Sequence, residues 1–399
     1  MTLIAWYFSP DLAVSQAEAG ETETAEITAQ QRPNPSVSFS PVYTIGGPPW
    51  GLGLSLDVPI ETANKRSIRR VLAQALTTVA HLRVAEAAWQ VRRRLRAQVV
   101  ELGAAEARSL SASAEVDAQQ ALVQVHERLV AQGLGSGVLL AQAHADLSSV
   151  RVAQSTAMGE VRLAKARLGQ VLGLPIEARG VHEIRWDGFT QAPTDLDLSA
   201  MRETGLRNRL DLRRLLAQYA GAESALQLEV AKQYPDIHLG PGWSWNTDTQ
   251  QFTLGVSFNL PLNGNRGPIA EAAAQRRTAA ARFIALQAEI IAGIDQAVIA
   301  YRTAVETFRL AERQLDDHRE LLARAERAVA VGTGDSLVLA QLQLNVAVAQ
   351  RARVDALHAV QRAVTSLEDA VQQPLVAAEA VPIDVTLPTT PPSAQESIP

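Results

Sequence analysis

The chain has 399 residues, 47% of them hydrophobic and only 5% aromatic, and a formal net charge of -5. That length suits two or three globular domains or one elongated unit, and the charge excludes a polyanion binder working by net positive charge. Seven His and no Cys exclude thiolate metal sites, disulfides and a Cys nucleophile, and the lack of Cys says nothing about compartment.

The opening MTLIAWYFSP is apolar but lacks a basic n-region, an apolar core of normal length and a small-residue cleavage site. It does not read as a signal peptide, so an exported form takes its signal from outside this chain. A helical segment over roughly 9 to 31 runs up to Pro33, and two alternating strands follow at 35–45 and 50–60, joined by the turn TIGGPP. Val37, Phe39 and Tyr43 alternate with Ser36, Ser38 and Ser40. In WGLGLSLDVPI, Trp50, Leu52, Leu54, Leu56, Val58 and Ile60 oppose Gly51, Gly53, Ser55, Asp57 and Pro59. No Pro then occurs from Ile60 to Leu174, and Ala, Leu, Arg, Gln and Glu dominate. This predicts a long helix over 64–131, a Gly-rich tip turn over 132–137 and a helix over 138–172. A linker over 173–197, with Pro175 and Pro193, leads onward.

The same grammar then repeats: a helical segment over 198–232, strands over 235–246 and 251–262 around NTDTQQ, a long helix over 266–331, a tip turn over 332–335 and a helix over 336–372. Residues 376–399, ending LPTTPPSAQESIP, are expected to be a disordered Pro-rich tail. The echoes are also local. NPSVSFSP is answered by YPDIHLGP, LSLDVPIETANKR by VSFNLPLNGNR and QGLGSGVLLAQA by VGTGDSLVLAQL, each about 200 positions on and in the same order. Such a period is too long for a solenoid and indicates one duplicated unit, a first repeat over 1–197 and a second over 198–375.

Each long helix is on the order of 100 Å and must pack on partners. In the second, Ile294, Tyr301, Phe308, Leu315 and Leu322 recur every seven residues, with Val298 and Val305 between them, a coiled-coil seam broken at Glu312. No run of 18 or more apolar residues occurs, so no transmembrane helix is expected.

An alternating hairpin fits a soluble antiparallel sheet with one face on a core. Here, however, the strands have the 9 to 11 residues that cross a bilayer at a tilt, and their polar faces are Ser, Gly, Asn and Thr, as a wetted lumen requires. Four strands cannot close a barrel and an open edge is forbidden in lipid, so several chains must share one wall; three copies supply twelve strands. Trp50, Trp243 and Trp245 near strand ends suit an interfacial aromatic belt, with a soluble core as the alternative.

With these features the chain, from about Ser9 to Leu375, resembles the TolC family of outer-membrane efflux channels. The resemblance rests on the doubled order of elements, on NP before the first strand, on LDVPIETANKR from strand into helix, and on VGTGDSLVLAQ at the second tip. The segment DVPIETANKRSIRR is closest to channels paired with heavy-metal exporters of the resistance-nodulation-division type. The resemblance implies a mainly α fold with a small β part: a homotrimer whose twelve-stranded β-barrel in the outer membrane continues as an α-helical barrel through the periplasm. It implies outer-membrane lipid, a periplasmic adaptor (membrane fusion) protein and an inner-membrane efflux pump as partners. It also places adaptor docking at the tips, here Gln132, Gly133, Leu134, Gly135 and Val331, Gly332, Thr333, Gly334. Family members carry acidic residues after the second tip as a gate, whereas this chain has Leu337 and Ala340; Asp335 and Asp146 are the candidate substitutes.

Other chemistry is not indicated. The Gly clusters lie between helices rather than between a strand and a helix, so no phosphate loop is expected. His81, His126, His144, His182, His238, His318 and His358 never fall at i, i+4 spacing, which disfavours zinc; His238 reads as a lumen or turn residue that could meet cations. The run VRRRLR at 91–96 reads as a solvated or ion-paired helix face rather than a nucleic-acid site. No enzyme site and no cofactor are expected. The reading is a passive exit duct for substrates delivered by the pump; the alternative is a soluble coiled-coil scaffold with small β-hairpins.

Overall fold

The computed structural model describes residues 1–47, 49–173, 192–193 and 196–375. The expected tail, most of the linker, and His182 and Pro175 lie outside the described residues. The chain forms two compact units, one made of Ala13–Glu86 and Leu210–Ala288, the other of Met1–Leu12, Ala87–Arg209 and the chain from Glu289 onward.

The first of these units is built around a sheet. Strands β1 (Ser36–Tyr43) and β2 (Trp50–Ile60) follow α2 (Pro10–Gln30); β3 (Ile237–Asn246) and β4 (Gln250–Phe258) follow α6 (Leu210–Ala231). The four strands are antiparallel in the order β1-β2-β3-β4, so the second strand of one repeat pairs with the first of the other. The register aligns the alternation across all four: Phe39 opposes Leu54, Leu54 opposes Trp243, and Trp243 opposes Phe252. The row behind it is Ser38, Ser55, Gly242 and Thr253. One face is therefore apolar and the other small and polar, as the strand pattern requires. The β2–β3 ladder breaks after Ser55↔Gly242 and resumes at Val58↔Leu239, a gap that falls at Pro241, which has no N–H to donate.

Among the described residues, no helix covers the apolar face. Phe252 is 82% exposed and Leu254 74%, with Phe39, Val37 and Val256 similarly open. The strands differ slightly from expectation. β1 ends at Tyr43, where Thr44 N–H bonds back to Pro49 O to close the turn. β4 ends at Phe258 rather than 262, because Leu262 N–H turns back to Leu260 O beside Pro261. Pro59, by contrast, remains inside β2, opposite His238.

The other unit is helical: α1 (Thr2–Tyr7), α4 (Gly137–Leu172), α5 (Met201–Asn208), α8 (Ser336–Val371) and the later parts of α3 (Lys65–Ala131) and α7 (Arg266–Ala330). The first expected leading segment is the single helix α2, preceded by the short α1, which ends at Tyr7 and whose Trp6 Nε1 donates to Ala88 O at 2.9 Å. The second is two helices, broken at Arg209, extended at ψ 120°, whose guanidinium bonds Ala370 O at 3.1 Å.

The expected seam is present. Ile294, Tyr301, Val305, Phe308 and Leu315 are buried, and the Tyr301–Phe308 section packs on Ala356, Val360, Val364 and Leu367 of α8; Leu322 is only half-buried. Glu312 does not break it, because it pairs with Arg353 at 3.0 Å, and Arg353 stacks over Phe308. A second heptad series went unnoticed in the sequence: Leu95, Leu102, Val116 and Val123 of α3 are buried in clusters shared with α4, including Leu168, Ala143 and Leu147. In contrast to the expectation from apolar runs, α7 contains an 18-residue window of mean hydropathy 1.5, of which 17% is buried. Its hydropathy comes from Ile and Ala interleaved with charged residues rather than from an unbroken run.

The VRRRLR run is ion-paired. Arg94 binds Asp11 at 2.8 Å and Arg93 lies 3.7 Å from Asp369. Arg92 and Arg96 are buried against Glu368, itself 1% exposed, at 3.5 and 3.1 Å. Arg92 also stacks on buried Trp89, whose indole N–H donates to Asp369 at 3.0 Å. Removing one partner of such a group leaves buried charge uncompensated. Glu368→Ala is expected to destabilise the protein by about 3–5 kcal/mol, read as a lowered denaturant midpoint at unchanged slope.

Candidate functional site

Three features of the chain are shaped beyond what packing alone requires: the polar face of the sheet, the joints where strands meet long helices, and the two tip turns.

On the polar face, Asp57 of β2 and His238 of β3 meet, with Nδ1 3.1 Å from Oδ2 and both side chains partly open. The tryptophans gather toward the hairpin-turn end of the sheet. Trp50 opposes Tyr43 and meets its ring edge-on at 5.1 Å; Trp245 opposes Leu52, and Trp243 lies two residues further in. Trp50 and Trp245 are exposed and Trp243 is half-buried.

At the opposite end, both strand-to-helix joints use the same backbone device. Ala63 and Asn64 in the first repeat, and Gly264 and Asn265 in the second, are successive residues with φ between 52° and 60°. Two left-handed residues in a row turn the chain sharply in a space too short for a loop, and Asn and Gly are the residues that tolerate them best. Each joint is then tied down. Lys65 is buried, and its Nζ donates to Tyr234 O at 2.6 Å and to Asp236 Oδ1 at 2.8 Å; Thr62 N–H donates to the same carboxylate at 2.9 Å. Arg69 and Glu61 form a bidentate pair beside it. In the second joint, Asn265 Nδ2 donates to Glu229 O at 2.7 Å and Gln233 Nε2 to Gly264 O at 2.9 Å. Burial works to raise the pKa of Asp236, but the Lys65 ammonium and the Thr62 N–H outweigh it and hold the carboxyl below its usual range. The link of Thr62 and Lys65 to Tyr234 and Asp236 could not be read from the sequence, because the partners lie some 170 positions apart.

The tips are near copies of each other. Gly133 has φ +70° and Gly332 has φ +80°. Leu134 N–H bonds Leu129 O at 2.8 Å while Gly133 N–H bonds Val130 O at 3.0 Å; at the second tip Thr333 N–H bonds Ala328 O at 2.9 Å and Gly332 N–H bonds Val329 O at 3.0 Å. This is the six-to-one plus five-to-two pattern of a Schellman cap, which satisfies the last carbonyls of each long helix. The second Gly of each pair is required by space: a Cβ on Gly135 would lie 2.9 Å from Val130 N, and one on Gly334 2.5 Å from Val329 N. Asp335 then caps α8, its carboxylate accepting Leu337 N–H at 2.7 Å, whereas the matching Ser136 makes no side-chain cap bond. Gln132, Leu134, Val331 and Thr333 are left exposed, Leu134 at 77% and Val331 at 75%.

The candidate gate residues divide. Ala340 is buried with Leu122 and Val125 of α3, and Leu337 packs half-buried against the same cluster. Asp335 is engaged in its helix cap. Asp146 is exposed on α4 and accepts from Gln142 Nε2 at 2.8 Å. Leu337 and Ala340 thus share one packed cluster, while Asp335 and Asp146 are each engaged within their own helix. No group of three or more His, Cys, Asp or Glu that could hold a metal ion occurs among the described residues.

This arrangement is the fold of outer-membrane channels. It superimposes on the outer-membrane channel OprN with a TM-score of 0.75 at 18% identity, over 93% of this chain and 88% of that one. The outer membrane protein VceC from Vibrio cholerae gives 0.74 at 17%, over 94% and 96%, and the Neisseria gonorrhoeae MtrE outer membrane channel in its open state 0.70 at 15%, over 94% and 88%. Residues 202–371, most of the second repeat, match the family described as outer membrane efflux protein. No curated protein matches the chain significantly by sequence.

Two outcomes follow from the geometry. Gly334→Ala is expected to open the second tip turn, seen as faster hydrogen exchange at 328–337, whereas Gly137→Ala, whose Cβ meets nothing within 4 Å, should change stability by no more than about 0.5 kcal/mol. For the joint, Asp236→Asn should be less stable than the parent at neutral pH. Because the folded-state pKa of Asp236 is depressed, that difference is complete above about pH 4 and disappears as pH falls through the lowered value, which acid titration of both proteins by circular dichroism would trace.

Proposed function

We propose that this chain is one subunit of a homotrimeric outer-membrane channel, the passive exit duct of a tripartite efflux system. The observation that carries the reading is the sheet: strands of 8 to 11 residues, an apolar face that no helix covers, a face of Ser, Gly, Thr and Asn behind it, and β1 and β4 left as edges. In lipid an apolar face is at home and an open edge is not, so β4 of one copy meets β1 of the next and three copies close a twelve-stranded wall. Trp50, Trp243 and Trp245 then stand near one rim of that wall as its aromatic belt. The family match and the shared fold support an efflux-channel role.

The finer parts of the proposal are an outer-membrane location reaching into the periplasm, docking of a periplasmic adaptor on the exposed residues of the two tips, and an inner-membrane pump of the resistance-nodulation-division type as the source of cargo. With Ala340 packed in a helix seam and Asp335 in a cap, we place any closure of the duct on the tip turns as units rather than on one acidic ring. The duct performs no catalysis, and the pump selects the cargo, metal cation or organic compound.

The test is placement of charge on the two faces of the sheet. Leu254→Arg, on the apolar face of β4, should cost about 2–4 kcal/mol of membrane stability and abolish heat-resistant trimers. Ser38→Arg, on the other face, should leave trimers intact and change the single-channel conductance in planar bilayers. Recovery of the parent from the aqueous fraction without detergent, as a monomer or dimer, would favour the scaffold reading instead.

A further inference from the structure

The contact between α3 and α8 is held by ions as much as by apolar groups. Glu101, Arg108 and Glu115 stand seven residues apart on α3. Opposite them on α8, Arg362 lies 3.9 Å and His358 3.2 Å from Glu101, Asp355 lies 2.6 Å from Arg108, and Arg351 lies 2.9 Å from Glu115. One member of this ladder has a demanding position. His358 is only 6% exposed, and its Nδ1 lies 2.8 Å from Arg108 Nη2.

A guanidinium can only donate, so Nδ1 must accept, and the proton of the neutral ring sits on Nε2. Nε2 faces Glu101 out of line for a hydrogen bond and is otherwise buried without a partner. A second proton can go only onto Nδ1, the atom that Arg108 occupies. The imidazolium would then present N–H to N–H across 2.8 Å, and Arg108 is held in place by Asp355. Burial disfavours the cation most, Glu101 favours it, and Arg108 and Arg362 oppose it, leaving His358 harder to protonate than an ordinary His. On the α7 side of α8, Glu312 is already bound to Arg353. A groove of about 300 Å³ that includes Gly103, Ala107, Leu357 and His358 gives solvent access to the ring.

We propose that His358 is an acid-triggered release for the α3–α8 seam: protonation turns its contact with Arg108 from a hydrogen bond into a repulsion and loosens α8 from α3 between Arg351 and Arg362. The seam lies within one chain, so this device stands whether or not the chain forms a channel. Its sign is fixed. The ring binds a proton less readily in the closed seam than in an open one, so the closed form has its full advantage above about pH 6.5 and loses it as pH falls toward the lower closed-state value. Glu115 acts in the opposite direction, since burial raises its pKa and acid relieves the cost of its charge. Loosening in mild acid would therefore mark His358 and not the ladder as a whole.

Hydrogen exchange of the purified full chain tests this at about pH 7.5 and about pH 5.5, on either side of the ordinary His value, with rates corrected for intrinsic exchange. Amides of 351–362 should lose protection relative to 364–371 in acid, by up to roughly tenfold at a pH one unit below the ordinary His value. His358→Gln, whose amide oxygen still accepts from Arg108 but does not titrate, should show no such loss. An unchanged parent, or a Gln variant that loosens as the parent does, overturns the proposal. Arg108→Gln removes the cation that a protonated ring would meet and guards against a misfolded His358 variant; its acid response should shrink, and a full response would also overturn the proposal.

Discussion

A sheet edge presents backbone N–H and C=O groups that must find partners, and an apolar sheet face must find something other than water. In this chain neither requirement is met within one copy. The register places Phe39, Leu54, Trp243 and Phe252 in one exposed row and Ser38, Ser55, Gly242 and Thr253 in the row behind, with β1 and β4 as free edges. A soluble sheet would lay a helix over such a face. Here no described helix covers it, and the helices that follow the strands begin after two left-handed residues at each joint. The trimer and the lipid contact proposed for this chain rest on that single departure.

The duplication explains why the joints and the tips each occur twice with the same backbone and different side chains. Ala63–Asn64 and Gly264–Asn265 share φ values, yet one joint is held by the buried Lys65 and Asp236 and the other by amides of Asn265 and Gln233. At the tips the Schellman bonds coincide, while Asp335 caps its helix and Ser136 does not. Backbone conformation is what both copies keep, and the side chains that secure it have been free to diverge.

Much of this was legible in sequence, for identifiable reasons. Helices without Pro, Gly-rich turns and strict alternation are local signals, so element order, the tip glycines and the two faces of the strands could all be read directly. What could not be read depends on contacts distant in sequence. Nothing near Arg209 announces a helix break, because what fixes it is the carbonyl of Ala370. Pro261 suggested a strand end but not that β4 would stop at Phe258, since the turn that ends it runs from Leu262 to Leu260. The packing of Leu337 and Ala340 could not be read from the sequence, because their partners, Leu122 and Val125, sit on another helix. The Leu95, Leu102, Val116, Val123 series escaped notice because Ser109 occupies the position between Leu102 and Val116.

That series also has a neighbour that gives α3 its character. One residue before each of its later members lie Glu101, Glu115 and Leu122, with Arg108 at the position before Ser109, so α3 carries an apolar heptad toward α4 and an ionic one toward α8. The two kinds of seam do different work. Apolar knobs gain free energy roughly in proportion to the area they bury, and a slip along the helix costs only part of it. Ion pairs with at least one member open to water gain little net stability, but a slip of one heptad would set Arg108 against Arg351 or Arg362 and Glu101 or Glu115 against Asp355. The α3–α4 and α7–α8 pairs are therefore bound chiefly by packing, and the ion ladder fixes the register in which α3 and α8 meet. A seam whose register is set by charge is also the one whose stability a single proton can change.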